Sequence, residues 1–592
     1  MKNNITLLVA VFASFQITAQ KLVGTIVPSK EELVPCLGII EPMKLPLDKW
    51  NFTVQNETVE NWMNPKVQEM IKEKTKLKLE QLGKKEYSEI GTVVTSSITI
   101  AKGHNFAGQG NGMTPFDNGT SVSNGKFVIQ TINAKIQIFD TSGTSLYSNS
   151  LATFLGLSGV FDPRVVYDSY EDRFIVFCAD AKWGVQFAFS ATNDPTKTWY
   201  KYNVKYTGAS GSFGFADYPY AGVTEHDLIL ESITPSAYVI QMAKAEGYKG
   251  GTLRTKNYKL ASNFDNAAVA DHGRSDTPYP KEGYIVGFTS STTIGLIEFS
   301  DTIGGNPVAN VFSIPIPAYS VAGSVMQKGS SATLAGSDGR IMNAYYANGI
   351  IHCVHNTAYN NGTYGGLAYY RINVATKTAT PYYFGLANSD IVNPSVALFG
   401  TSLTDKTVVI GYTESNSNIY PSMSAVVCDD GGNWSVPALL KAGVGFISGS
   451  RYGDYTSIAR KHNANVPTAW FSAEYGGPGN TRASWIAEIK RTDAGINVSV
   501  PEVKAQESYY VYPNPIIDRF TFSIDLEKTH PDVNISIYNM EGKMVKELFK
   551  GSLREGENEM SFDKAALKTG VYFIKIQSPK ALLKSEKVII AD

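Results

Sequence analysis

Three aspartates recur in similar surroundings far apart in the chain: Asp162 in FDPRVVYD, Asp217 in FADYPYAGV and Asp454 in RYGDYTSIA. Carboxylates gathered at one place can bind a cation, or divide into an acid and a base when one pKa is raised by its neighbour. The bland alternative is that each caps backbone N–H groups of an adjacent element. Asp168, Asp172 and Arg173 follow the first of them closely. Tyr218, Tyr455 and Trp183 offer ring faces for stacking on a ligand. Asp162, Asp217, Tyr218, Asp454 and Tyr455 therefore form the candidate ligand site.

Other chemistry is thinly represented. GLSGV (156–160) and GASGS (208–212) both lack the second glycine of G-x-S-x-G, and neither a phosphate loop nor H-E-x-x-H occurs. His352 and His355 stand three apart in an apparent strand, IIHCVHN, so they point to opposite faces and cannot share a metal. Cys36, Cys178, Cys353 and Cys428 show no CxxC spacing and read as buried unpaired thiols. No cofactor is expected, and no motif supports a structural cation such as calcium.

The elements that must position these residues are strands. The chain has 592 residues, room for several domains, with 33 Tyr, 28 Phe and 52 Gly, a mixture that suits short strands and tight turns. Lys+Arg is 53 and Asp+Glu is 54, a balance that excludes a nucleic-acid partner by charge. Runs such as GKFVIQTINAKIQIFD (125–140) and DKTVVIGYTE (405–414) are β-branched and aromatic, bounded by turn residues. Counted from Asp162, Asp217, Ser330, Pro394 and Asp454, the gaps are 55, 113, 64 and 60 residues. The double gap holds another unit around 284–299, and 108–151 precedes the first. Such a period predicts a β-propeller of seven four-stranded blades over 91–495. The aspartates would then open inner strands and line one rim of the central channel.

Two turns fit that architecture. TNDPTKTW (192–199) approximates the Asp-box S/T-x-D-x-G-x-T-W, and DDGGNW (429–434) keeps its second half. Asp194 and Asp429 should cap backbone N–H groups, Gly431 should supply the positive φ, and Trp199 and Trp434 should pack into the blades. The turns resemble those of sialidase-type propellers. The stretch from 105 to 490, including DPRVVYDSYEDRFIV and SATNDPTKTWYKYNV, resembles a family of secreted bacterial propellers. A sialidase mechanism further requires three arginines around a carboxylate substrate, and no blade start repeats an arginine.

Residues 1–20 have the parts of a signal peptide: Lys2, an apolar run from Ile5 to Phe15 and small residues near Ala19. That run is too short to span a bilayer, and no later segment is apolar enough. Residues 21–90 read as an N-terminal extension with one helix, opened by Asn64-Pro65 and striped by Val67, Ile71, Thr75, Leu79 and Leu82, with Gly83 as its stop.

After a polar linker (496–507), residues 508–592 carry Tyr512-Pro513-Asn514-Pro515, Gly542-Lys543 and Gly570 with Tyr572. Ile535 and Ile537 alternate with polar neighbours, as in a small Ig-like β-sandwich. These blocks resemble the type A sorting domain of type IX secretion, although the chain ends Ala591-Asp592 where such tails often end in basic residues. The resemblance implies a Bacteroidota cargo, taken by Sec to the periplasm and by the type IX machinery to the cell surface or medium. On this reading the propeller is a non-catalytic binding or adhesion module for glycan or protein. The alternative is a polysaccharide-active hydrolase or lyase using an Asp-lined channel mouth.

Overall fold

A computed structural model describes residues 22–47, 65–81, 91–110, 114–180, 184–206, 216–233, 238–260, 264, 267–273, 283–359, 362–492, 509–526, 529–539, 542–554, 556–578 and 581–591. Residues 1–20, read from sequence as a signal peptide, Asn64, Leu82, Gly83, Trp183, the GASGS motif, residues 496–507, Glu541 and Asp592 lie outside them. The chain divides into two compact units, Met1–Val498 and Ser499–Asp592.

Among the described residues, the first unit contains seven four-stranded antiparallel blades. Their inner strands are Gly119–Val122, Val160–Asp168, Asp217–Val223, Ala268–His272, Ile341–Ala347, Asp390–Leu398 and Ser457–Lys461. Each packs against the inner strand of the next blade, and the seventh packs against the first, so the ring is closed. Blades are hydrophobic on both faces because each is sandwiched between two others. Strand Arg173–Asp180, for example, is buried at every position after Arg173.

Closure depends on a pairing that local periodicity could not show. Blade 7 takes three strands from the C-terminal end of the ring and its outermost strand, Thr99–Gly110, from the N-terminal side, paired with Thr481–Thr492. Blade 1 accordingly begins at Gly119, and the stretch around 108–110 belongs to blade 7. The repeat anchored at Ser330 is also displaced: blade 5 begins at Ile341, and 328–336 is a loop carrying one bridge, Val325 to Leu334.

The N-terminal extension is a belt. Leu22–Ile26 pairs with the outer strand of blade 4, Glu32–Val34 with that of blade 3, and Gly38–Ile40 with that of blade 2. Helix α1 (Pro65–Gln81) then seats Val67 and Ile71 on Val321. The sequence stripe continues through Thr75, whose hydroxyl accepts from Ser324 N–H at 2.7 Å, but not through Leu79, which is 51 % exposed. Lys78 takes the buried position instead. Its ammonium meets the Asp390 carboxylate at 2.8 Å, with both side chains excluded from solvent.

The second unit is a two-sheet sandwich with strand sets of three and four. Its core includes Ile535, Ile537, Ile574 and Ile576, the alternating positions of its central strands.

Candidate functional site

The inner strands start in a repeated way. Asp162, Tyr218 and Asn393 have φ of 51°, 49° and 48°, and each is followed by a proline, Pro163, Pro219 and Pro394. The ladder to the second strand skips these pairs, so each is a bulge, a place where proline's missing donor is harmless. In blades 2 and 6 the bulge turns an Asp or Asn toward the neighbouring blade, while in blade 3 the bulged residue is Tyr218. Asp162 accepts from Tyr218 N–H at 3.1 Å, joining blade 2 to blade 3. Asp117 accepts from Asp454 N–H at 2.7 Å, joining blade 1 to blade 7. Asn133 links the two caps, donating to Asp117 at 3.0 Å and accepting from Asp162 N–H at 3.3 Å.

Asp162, Asp217 and Asp454 therefore do gather at one end of the axis, and Asp117 joins them. Asp117 was missed in the sequence, although its FDN context repeats the Asp at a strand entrance. Burial, then the neighbouring Asp454, pushes the Asp117 carboxyl up to about 8. Burial followed by Asp217 holds Asp162 well above the usual carboxylate range. Burial also raises Asp454, against the pull of Arg451, whose Nη2 lies 2.7 Å from Asp454 Oδ2.

Tyr218 and Tyr455 do not present their rings to a ligand. They are 2 % and 1 % exposed, meet edge to face at 5.6 Å, and plug the channel with Met342. Three arginines converge there despite the absence of any repeated blade-start arginine, because each is offset differently from its blade's anchor. The Arg164 guanidinium carbon lies 3.7 Å from the Tyr455 ring centre, and that of Arg340 lies 4.6 Å from Tyr218. Arg340 is committed to Asp338 through a bidentate contact, and Arg451 to Asp454.

Below the plug the channel encloses a cavity of about 110 Å³ lined by all seven inner strands. Its opposite mouth carries His272 and His462, with ring centres 4.6 Å apart, and Tyr170, which lies edge-on to His272. Asp168 is at this end, remote along its strand from Asp162. It pairs with Lys244 and accepts from the Tyr248 hydroxyl at 2.7 Å. Asp172 accepts from Tyr167 and Asn193, and Arg173 donates to backbone carbonyls. No group of three or more His, Cys, Asp or Glu among the described residues is arranged to hold a metal. His352 bonds the Tyr369 hydroxyl at 2.6 Å and His355 the Gly339 carbonyl at 3.0 Å. The four cysteines are free, and all but Cys36 are buried.

Both box turns join the third and fourth strands of a blade. Asp194 accepts from Thr196 N–H at 2.9 Å, and Asp429 from Asn433 N–H at 2.8 Å. Trp199 is fully buried against Phe154, and Trp434 packs on Phe384. The positive φ of the second turn, 86°, belongs to Gly432 and not to Gly431, because the chain reverses one residue later. Asp140 caps the same turn in blade 1, as does Asn373 in blade 5; DTSGT at 140–144 was the readable signal.

In the second unit the motif residues have structural partners. The Tyr512 hydroxyl donates to Glu559, and Asn514 accepts from Ile589 N–H at 2.9 Å, tying Pro513 and Pro515 to the last strand. Gly542 has φ 77° in a turn where Lys543 N–H donates to Asn539, and Gly570 opens the strand bearing Tyr572. Residues 510–591 match the family described as the secretion system C-terminal sorting domain. The tail marks the chain as a type IX cargo, exported to the cell surface or the medium. No helix among the described residues is long and apolar enough to cross a membrane.

Comparison with solved structures returns matches of low similarity. An apocarotenoid oxygenase from Synechocystis is 12 % identical, over 61 % of this chain and 65 % of its own, with a TM-score of 0.26. The chain thus spans about 65 % of that enzyme's length. The endo-arabinase of Bacteroides thetaiotaomicron is 12 % identical over 56 % of this chain and 94 % of its own, TM-score 0.26. Sucrose-6-phosphate hydrolase from Lactobacillus gasseri is 10 % identical over 73 % and 86 %, TM-score 0.27. No match is found among curated proteins.

Proposed function

We propose that the propeller of this exported cargo is a non-catalytic binding module, engaging glycan or protein through its blade loops and channel mouth, after a Sec signal at 1–20 has delivered it to the periplasm. The observation that carries this reading is the cap from Asp162 to Tyr218 N–H. A carboxylate on which a hydrolase would depend is spent on joining two blades. The cavity of about 110 Å³ supports it as well, being well under the roughly 300–1,000 Å³ of small-ligand sites.

One observation favours a polysaccharide-active hydrolase or lyase instead. Asp117 is pushed up to about 8 beside Asp454, and a carboxyl that keeps its proton near neutral pH can serve as a general acid. A glycan array and a reducing-end assay on the purified full chain separate the readings. The binding module retains intact glycan, releases no new ends, and behaves the same as Asp162→Asn. Turnover that Asp162→Asn abolishes would establish the hydrolase.

A further inference from the structure

We propose that the central channel binds one small oxyanion, gripped by the Nε–H and Nη2–H edge of Arg164. Arg164 is 8 % exposed and lines the channel cavity. Its guanidinium carbon lies 3.7, 4.5 and 4.7 Å from the ring centres of Tyr455, Tyr220 and Tyr218. These rings surround the guanidinium with aromatic surface, which attracts its charge but does not satisfy its N–H donors. Nε and Nη2 are buried and make no hydrogen bond of good geometry among the described residues, the Tyr218 hydroxyl being the nearest group that interacts with the guanidinium. They share one edge, the fork that matches two oxygens of a carboxylate, phosphate or sulfate. A buried charged donor without an acceptor is costly, so such a fork selects for a ligand.

The surroundings suit an anion. Arg460 also lines the cavity, and Tyr345, another lining residue, has a buried hydroxyl with no partner among the described residues. Asp271 is the one carboxylate of the lining, and burial shifts it toward its neutral form while it accepts from Val223 and His272 N–H. At about 110 Å³ the cavity equals the share of roughly three to four waters. That admits a small oxyanion such as formate, acetate, phosphate or sulfate.

The test uses the full chain at constant ionic strength, replacing chloride in turn by formate, acetate, phosphate and sulfate. A bound anion raises the melting temperature saturably. General salting effects of sulfate rise without saturation and serve as the baseline. Arg164→Lys keeps the charge and loses the fork, so half-saturation should move at least about tenfold higher. The order of carboxylates against tetrahedral anions identifies the source. Anomalous scattering from selenate, or density for formate, at the Arg164 edge in wild-type crystals gives a readout independent of any variant. Water alone at that edge in both soaks, or an equal saturable response in Arg164→Lys, would overturn the proposal.

Discussion

The Asp162 carboxylate accepts the backbone N–H of Tyr218 at 3.1 Å, tying the start of one inner strand to the start of the next. Such a cap needs an oxygen and not a charge. Asp162→Asn should therefore shift unfolding free energy by less than about 1 kcal/mol, while Asp162→Ala should cost about 1–2 kcal/mol. Chemical denaturation of the two variants measures the contrast.

The carboxyl cluster also sets a pH dependence. Asp117 is raised from 3.8 to about 8, and Asp162 and Asp454 are raised in the same direction, chiefly by burial. A carboxyl with a raised folded pKa holds its proton more tightly when folded, so its contribution is complete below about 4 and is lost as pH rises toward about 8. Melting temperature should fall across that window. Asp162→Asn, which cannot titrate, should flatten the fall, and an unchanged slope would remove Asp162 from the titration.

The box turns separate packing from binding. Trp199→Ala and Trp434→Ala should each cost about 3–5 kcal/mol, the range for truncating a buried aromatic. Gly432→Ala would set a Cβ 2.1 Å from Tyr382 at φ 86°, a cost of about 1–3 kcal/mol. Gly431→Ala meets only side-chain ends, the Asn433 amide at 3.0 Å and the Asp429 carboxylate at 3.4 Å, and should stay within about 0.5 kcal/mol. Thermal melts of the four variants check the order.

Lys78 and Asp390 hold the helix of the belt to blade 6. Lys78→Ala strands a buried carboxylate and should cost about 3–5 kcal/mol. Lys78→Met with Asp390→Asn should recover most of that loss, because the amide oxygen still accepts from Gly365 N–H. Equilibrium denaturation of the single and double variants gives the coupling.

The propeller was legible because three of its inner strands repeat a local device, a proline at a bulge with an Asp or Asn within two residues before it, and because strands such as Arg173–Asp180 carry apolar residues on both faces. Gly38–Ile40 and its companions in the belt were not legible. They are three to five residues long and exist as strands only because distant blade edges supply partners. The end of Thr99–Gly110 was assigned to the first unit for the same reason, since its partner lies almost four hundred residues later. Lys78 falls outside the apolar stripe, and the carboxylate that justifies its burial comes from blade 6. Arg164 followed Asp162-Pro163 in plain view, but only the folded ring brings Tyr218, Tyr220 and Tyr455 around it.

Export depends on the 508–592 tail, and subcellular fractionation of the native host tests it most directly. A chain ending at residue 507 should fold its propeller, resist protease and accumulate in the periplasm, while the full chain reaches the surface or medium. Truncated protein outside the cell at the level of the full chain would contradict the assignment of the tail.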